Sequence, residues 1–423
     1  MKFSIMNLGC KVNAYESESI ASELEERGHT RVDFNEACDA SLIFTCAVTN
    51  LAASKSRKMM HRAKRNNEDG IVAVVGCYAQ VDEAALEDAD IIVGSKNKIK
   101  VVDYVEKCYK DHEQIIDVDP INKVPFESLK LVEFEEKSRG TLKIQDGCNQ
   151  FCSYCIIPYA RGRERSMEPN LVIEEVKKLE KHHNEIVLAG IHTGRYGKEY
   201  GLTLADLIQR ILNETNVKRI RISSIEVSEI DEKLMNMVIN EDRIANHLHI
   251  PLQAGCDATL KRMNRPYTTS EYYDKIVSIK KAFPTISISS DIIVGFVGES
   301  DEEFEETCAF IRKCELSFLH VFQYSLRDGT AAEKMDGHID PRIKKKRAKV
   351  MADLSDELYD TYKQKFVGRT LDVLVEGFKD GYSEGYSSEY LPIKIVGKHT
   401  RKEIVKCKVI DYKDQVLYAE RCE

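Results

Sequence analysis

Three cysteines fall within eight residues, Cys148-Asn149-Gln150-Phe151-Cys152-Ser153-Tyr154-Cys155. Thiolates at i, i+4 and i+7 converge on one point of a tight loop, and three soft sulfur donors so close together suit iron–sulfur ligation. A four-iron cube has four corners, so three local thiolates leave one iron open to another molecule, which serves catalysis rather than structure alone. Two plainer readings compete. One is a structural zinc knot, against which the missing fourth ligand counts, and the other is chance clustering in a chain of 13 cysteines.

The elements that must position such residues follow a regular beat. Apolar runs at residues 2–8, 41–45, 71–76 and 91–94 alternate with helical patterns near 14–27, stopped by Gly28, and near 52–65. That alternation predicts an α/β fold with a parallel, flavodoxin-like N-terminal sheet over residues 1–115. Cys10 directly follows the first run, Cys46 ends the second, and Cys77 follows Val74-Val75-Gly76. Ligands of open α/β sheets gather at the carboxyl ends of strands, so topology predicts a second three-cysteine metal site there. The competing reading makes each of these thiols a small buried apolar residue.

Beyond a polar connector at 117–137, strand-then-helix units begin at 141–145, 185–190, 217–223, 247–252, 286–295 and 318–325. Six such units predict an open, partial α/β barrel over residues 134–366, with its active site on the loops after the strands. The cysteine triplet sits just after the first of these strands. A basic stretch, Arg342-Ile343-Lys344-Lys345-Lys346-Arg347, opens a long amphipathic helix to about Phe366. Short alternating runs from Gly368 onward predict a small antiparallel barrel over residues 367–423.

With 423 residues, 43% apolar and 31% charged, the chain is long for one core and has the composition of an ordinary water-exposed protein. Its first residues lack a basic-then-apolar signal profile, and no apolar run reaches membrane-spanning length, which predicts a cytoplasmic protein without membrane association. In that compartment thiols stay reduced, and 13 cysteines are better explained by metal ligation than by disulfides. A net charge of −8 gives no global attraction to nucleic acid, so any RNA must be met by local basic patches.

The phrases Gly9-Cys10-Lys11-Val12-Asn13, Thr45-Cys46-Ala47-Val48-Thr49, Gly76-Cys77-Tyr78-Ala79-Gln80 and Gly147-Cys148 to Cys155 together resemble the radical S-adenosylmethionine methylthiotransferases across essentially the whole chain. The first phrase, with Tyr15-Glu16-Ser17 and Ser223-Ser224-Ile225-Glu226, is similar to the branch that acts on threonylcarbamoyladenosine at position 37 of tRNA, beside the anticodon. The resemblance implies two [4Fe-4S] clusters. Cys10, Cys46 and Cys77 would hold an auxiliary one that presents the sulfur donor, and Cys148, Cys152 and Cys155 the one that binds and cleaves S-adenosylmethionine. It also implies a TRAM RNA-binding module at the C-terminus, tRNA as partner, and an electron donor such as flavodoxin or ferredoxin. The chain departs from the family pattern at Phe44, Val227, Ala254, Val297 and Gln323, none of which is a cluster ligand. Oligomeric state is not written in the sequence.

A radical fits the reaction, because the C–H bond at carbon 2 of adenine is strong and not acidic, beyond the reach of a side-chain base at pH 7. Cofactor contacts are expected at strand ends, from Gly190, Ser223, Glu226 and Gln253, with loop capping as the alternative for each. His192 is placed on a glycine-flanked loop, as a site or a turn residue. For RNA, the cations Lys55, Arg57, Lys58, Arg62, Lys64 and Arg65 line one helix, which is also what a solvated face looks like. Arg161, Arg163 and Arg165, just past the cysteine triplet, are the candidates to capture a substrate carboxylate or phosphate. Other readings are a methylthiotransferase acting on isopentenyladenosine tRNA or on a ribosomal protein, and a non-catalytic iron–sulfur scaffold that docks on RNA.

Overall fold

The computed structural model describes residues 1–122, 124–129 and 137–422. The N-terminal part is one parallel sheet of six strands: β1 (Lys2–Asn7), β2 (Thr30–Arg31), β3 (Ala40–Thr45), β4 (Ile71–Gly76), β5 (Ile91–Val93) and β6 (Ile115–Asp117). Their spatial order is β2-β1-β3-β4-β5-β6, the flavodoxin-like arrangement. Every residue of β3 and β4 is buried, as expected of central strands with helices on both faces. The helix Lys11–Glu26 ends in a Schellman motif: Gly28, at φ +86°, and His29 donate their amides to the carbonyls of Glu25 and Leu24. It starts three residues before the sequence pattern places it. Its cap, Cys10, makes no capping hydrogen bond and so carries no usual cap signal.

Six parallel strands make the central part. Gly140–Lys143, Glu185–Ala189 and Arg219–Ile222 form one sheet, and His247–His249, Ser287–Val294 and Phe318–Gln323 another. Bridges at Ile220–Ile244 and Ser224–His249 carry the pairing from one sheet to the other, giving the expected partial barrel. Three of the helices that follow are started by capping boxes, at Thr203/Asp206, Thr268/Glu271 and Ser300/Glu303, a pattern readable in sequence. The large central core, which includes Leu142, Leu188, Ile222, Leu248 and Ile292, is continuous with Tyr15 of the first helix, so the two parts are packed together. The sequence-level boundary at residue 134 lies outside the described residues.

The long basic helix spans Pro341–Gln364 and leads into a closed five-stranded barrel. Two of its strands lie outside the runs read from the sequence: Tyr382–Ser387, rich in Tyr and Ser, and the short Val416–Arg421. They close the barrel around Val373, Ile393, Val405 and Leu417. No helix among the described residues is long and apolar enough to cross a membrane.

Candidate active site

Cys10, Cys46 and Cys77 follow β1, β3 and β4, three adjacent strands, and so meet at one sheet edge. Asn13 donates to the Thr45 carbonyl at 2.7 Å, while the Thr45 hydroxyl donates to the Val75 carbonyl at 2.9 Å and accepts from the Tyr78 amide at 3.2 Å. This clamp ties the three cysteine loops together. Gly76 adopts φ +105° just before Cys77, a turn that a side chain would strain. Burial pushes the Cys46 thiol up to about 11 and raises Cys77, and each of these thiolates repels the others. Cys10 is exposed, Cys46 half-buried and Cys77 buried, and thiols raised in this way ionise when a metal takes them.

Arg161 reaches this triad from the central part. Its Nε donates to Cys77 Sγ at 3.2 Å, and its Nη atoms lie 3.0 Å from both Asp146 and Glu16 carboxylates and against Asn13. Asp146 is shared with Arg165 and Lys143 at 3.0 and 3.3 Å. Burial opposes ionisation of Glu16 and Asp146, yet Arg161 and Lys143 hold both carboxyls well below their ordinary values. Removing one member of such a buried network leaves an uncompensated charge, at a cost of about 3–5 kcal/mol. Arg161 and Arg165 are therefore closed to a substrate, a correction to the sequence expectation. Arg163 alone of the three is exposed, its guanidinium 4.6 Å from the Phe151 ring centre.

Gly147, at φ +70°, starts the radical-type loop; a Cβ there would stand 2.0 Å from the Arg163 carbonyl oxygen. Phe151, at φ +50°, turns the chain between the first two cysteines. Each of two sulfurs accepts from cationic or amide donors. Cys148 Sγ accepts from the Gln150 amide at 3.4 Å and lies 3.5 Å from His192 Nδ1, and Cys152 Sγ accepts from Arg265 Nη1 at 3.3 Å. Burial pushes Cys155 up to about 12 and raises Cys152. Donors aimed at sulfur are what an anionic cluster ligated by three thiolates requires, so this donor set fits a [4Fe-4S] cluster. His192 is no mere turn residue: burial opposes its charge, but Cys148 and the Glu229 carboxylate, 2.9 Å from Nε2, raise it to about 10.

Two cavities adjoin. One of about 210 Å³ is lined by Cys148, Cys152 and Cys155, with Glu226, Gln253 and Arg265. The other, of about 420 Å³, is lined by Cys10, Gly190, Ser223, His249 and His320. Ser224 and Asp291 line both, so the cavity bordered by Cys148, Cys152 and Cys155 adjoins the one bordered by Cys10. The four expected cofactor contacts divide between the cavities: Glu226 and Gln253 fall on the triplet side, Gly190 and Ser223 on the Cys10 side. Glu226 is ion-paired with Arg265, and Ser223 is bonded to Thr193 at 2.9 Å. Gln253 adopts φ +70°, a costly conformation for a non-glycine residue. Sequence reasoning missed Arg265 and the group His249, Asp291 and His320, whose ligand atoms lie within 4.8 Å of one another on the cavity floor. The spacing His247-Leu248-His249 on a strand was the available signal.

On the candidate RNA helix, Asn50–Asn66, Arg57 bonds the Tyr78 hydroxyl and Lys64 lies 3.6 Å from Asp90. Lys55, Lys58 and Arg65 are exposed.

A six-stranded partial barrel with three cysteines on the loop after its first strand defines the radical S-adenosylmethionine class. Accordingly, residues 142–311 match the radical SAM superfamily, and residues 2–94 match an uncharacterized protein family, UPF0004. The threonylcarbamoyladenosine tRNA methylthiotransferase MtaB of Bacillus subtilis is 42% identical over 419 residues, covering 95% of this chain and 92% of that one. MtaB of Aquifex aeolicus is 34% identical, over 89% and 93% of the two chains. The tRNA-2-methylthio-N(6)-dimethylallyladenosine synthase of Desulforamulus reducens is 33% identical, over 89% and 84%. Among solved structures, the radical S-adenosylmethionine methyltransferase TsrM of Kitasatospora setae superposes with TM-score 0.58 at 12% identity, covering 78% of this chain and 73% of that one, a likeness of fold. The chain belongs to the radical S-adenosylmethionine methylthiotransferase family.

Proposed function

We propose that this protein adds a methylthio group to carbon 2 of N6-threonylcarbamoyladenosine at position 37 of tRNA, using S-adenosylmethionine and two [4Fe-4S] clusters. The observation that carries the reading is the pair of adjoining cavities, one lined by Cys148, Cys152 and Cys155 and the other by Cys10 of the second triad. Bound there, the clusters and S-adenosylmethionine supply the radical that removes hydrogen and the sulfur that replaces it. The chain's own residues hold and shield. Cys148, Cys152 and Cys155 ligate one cluster, and Cys10, Cys46 and Cys77 the other. Arg265 donates to one sulfur of the first and His192 lies 3.5 Å from another, while Arg161 donates to a sulfur of the second. Gln253 and Glu226 border the first cluster's cavity as cofactor contacts, and Gly190 and Ser223 border the space for the base. Tyr154, stacked edge-on against Phe296 at 6.2 Å, keeps water from the radical side.

An adenosine in an anticodon loop is unpaired and can be swung into such a cavity. The closed C-terminal barrel acts as the RNA-binding TRAM module, Lys55, Lys58 and Arg65 contact phosphates, and a flavodoxin or ferredoxin supplies the electrons. The substrate assignment is supported by the B. subtilis and A. aeolicus relatives, both named for threonylcarbamoyladenosine tRNA. Its test is a competition: reconstituted protein given equal amounts of threonylcarbamoyl and isopentenyl tRNA should methylthiolate the first by at least about tenfold over the second. Equal turnover, or turnover of the isopentenyl form alone, would contradict the assignment and leave the radical chemistry standing.

A further inference from the structure

Lys11 is the first residue of the helix that Cys10 caps, and it lines the cavity beside Cys10. It also lines a third cavity, of about 500 Å³, on its other side. The two spaces share Lys11, Arg221 and Tyr390 and therefore adjoin. All three parts of the chain build the third cavity. Lys11 comes from the N-terminal sheet, Arg139 and Arg221 from the partial barrel, and Glu376, Tyr390 and Arg401 from the C-terminal barrel.

Its charge is lopsided: Lys11, Lys137, Arg139, Arg221 and Arg401 face one carboxylate, Glu376. Some of these cations are committed. Arg221 donates to Glu185 at 2.7 Å and to the carbonyls of Ser387 and Ser388 at 3.1 and 3.2 Å. Arg139 lies 2.9 Å from Glu185 through Nε and 3.0 Å from Glu376 through Nη1. Two donors are left over. The Nη2 of Arg139 is buried and has no hydrogen-bond partner among the described residues. The ammonium of Lys11 likewise makes no hydrogen bond or ion pair among them, and it stands at the positive end of a helix of 16 residues. A buried donor without a partner is costly, which applies to Arg139 Nη2, and the exposed Lys11 ammonium lining the same cavity adds a second uncommitted cation, so the pair calls for an anion.

We propose that this basic cavity is the subsite for the threonyl carboxylate of the substrate, with Lys11 the cation that determines specificity and Arg139 Nη2 the second donor. The adenine ring then occupies the adjoining cavity beside Cys10. This subsite rests on the substrate reading above and deepens it. An isopentenyl tail would leave both donors desolvated and unpaired, which is how a polar site rejects an apolar analogue. Lys11 thereby takes the role that sequence order gave to Arg161, Arg163 and Arg165.

The test uses the full-length, two-cluster protein and two anticodon stem-loop oligonucleotides, one carrying N6-threonylcarbamoyladenosine and one its carboxamide, which has the same shape without the charge. The wild-type protein should favour the carboxylate by about 10- to 100-fold in kcat/KM, the usual worth of a hydrogen bond to a charged group. Lys11→Gln should bring that ratio to within about threefold of unity, and Lys11→Arg should keep most of it. Iron content and S-adenosylmethionine cleavage are read on each variant. If Lys11→Gln cannot be loaded with iron, the ratio is read on Arg139→Gln, which should also lower it. A ratio unchanged by the substitution, or equal losses on both oligonucleotides, would overturn the subsite. Wild-type protein that treats carboxylate and carboxamide alike would overturn the subsite but not the substrate. Protein that modifies only an isopentenyl oligonucleotide would overturn both.

Discussion

Replacing Cys148, Cys152 and Cys155 together with alanine should abolish reductive cleavage of S-adenosylmethionine and lower the iron content from about eight atoms per chain to about four. The effect is all-or-none because the loop supplies three thiolates and the fourth iron must stay open. The sulfurs at stake are those that Arg265, His192 and the Gln150 amide address. The other triad sits in a different sheet, held by the Asn13 and Thr45 clamp, and keeps its ligands. Iron and sulfide analysis of anaerobically reconstituted protein reads the result, with deoxyadenosine release as the activity. Full iron content in this triple variant, or in the one lacking Cys10, Cys46 and Cys77, would show that the two triads are not two sites.

Cys77→Ala should spare cleavage of S-adenosylmethionine yet eliminate methylthio transfer, a loss of more than a hundredfold in product. Cys77 borders neither cavity wall that carries Gln253 and Arg265, so the radical side stays built. What disappears is one of three auxiliary ligands, together with the sulfur that accepts from Arg161 Nε. Cys152→Ala, in contrast, should stop both reactions. Arg161 gives the experiment its control, because it ties the two sites through Asp146, two residues before Cys148. The Cys77 variant must therefore be shown to retain about four irons. Loss of cleavage in a variant that does so would count against separate roles for the clusters.

Much of this arrangement is legible in the sequence because the ligands are punctuated by local rules. Cys148, Cys152 and Cys155 announce themselves by spacing. Cys10, Cys46 and Cys77 do so by following three apolar runs, since neighbouring parallel strands bring their carboxyl ends together. What sequence order misleads about is the arginines. Arg161 and Arg165 lie near the triplet along the chain, but the burial of Glu16 and Asp146 between two domains is a long-range fact that consumes both. Arg265 lies 113 residues from the Cys152 it touches, and the group His249, Asp291 and His320 is assembled from three strands. The only local trace of either is the His247-Leu248-His249 spacing. The weakly apolar strand Tyr382–Ser387 of the C-terminal barrel was equally hard to see, because a small closed barrel buries only alternate residues.

The central claim is that this chain makes the 2-methylthio derivative of N6-threonylcarbamoyladenosine in tRNA. Mass spectrometry of nucleosides from the tRNA of cells lacking it tests that most directly. The account predicts that the methylthio nucleoside disappears, that N6-threonylcarbamoyladenosine accumulates in its place, and that the wild-type chain restores the product where the Cys148→Ala chain does not. Undiminished methylthio-threonylcarbamoyladenosine, or loss of the isopentenyl counterpart instead, would contradict it.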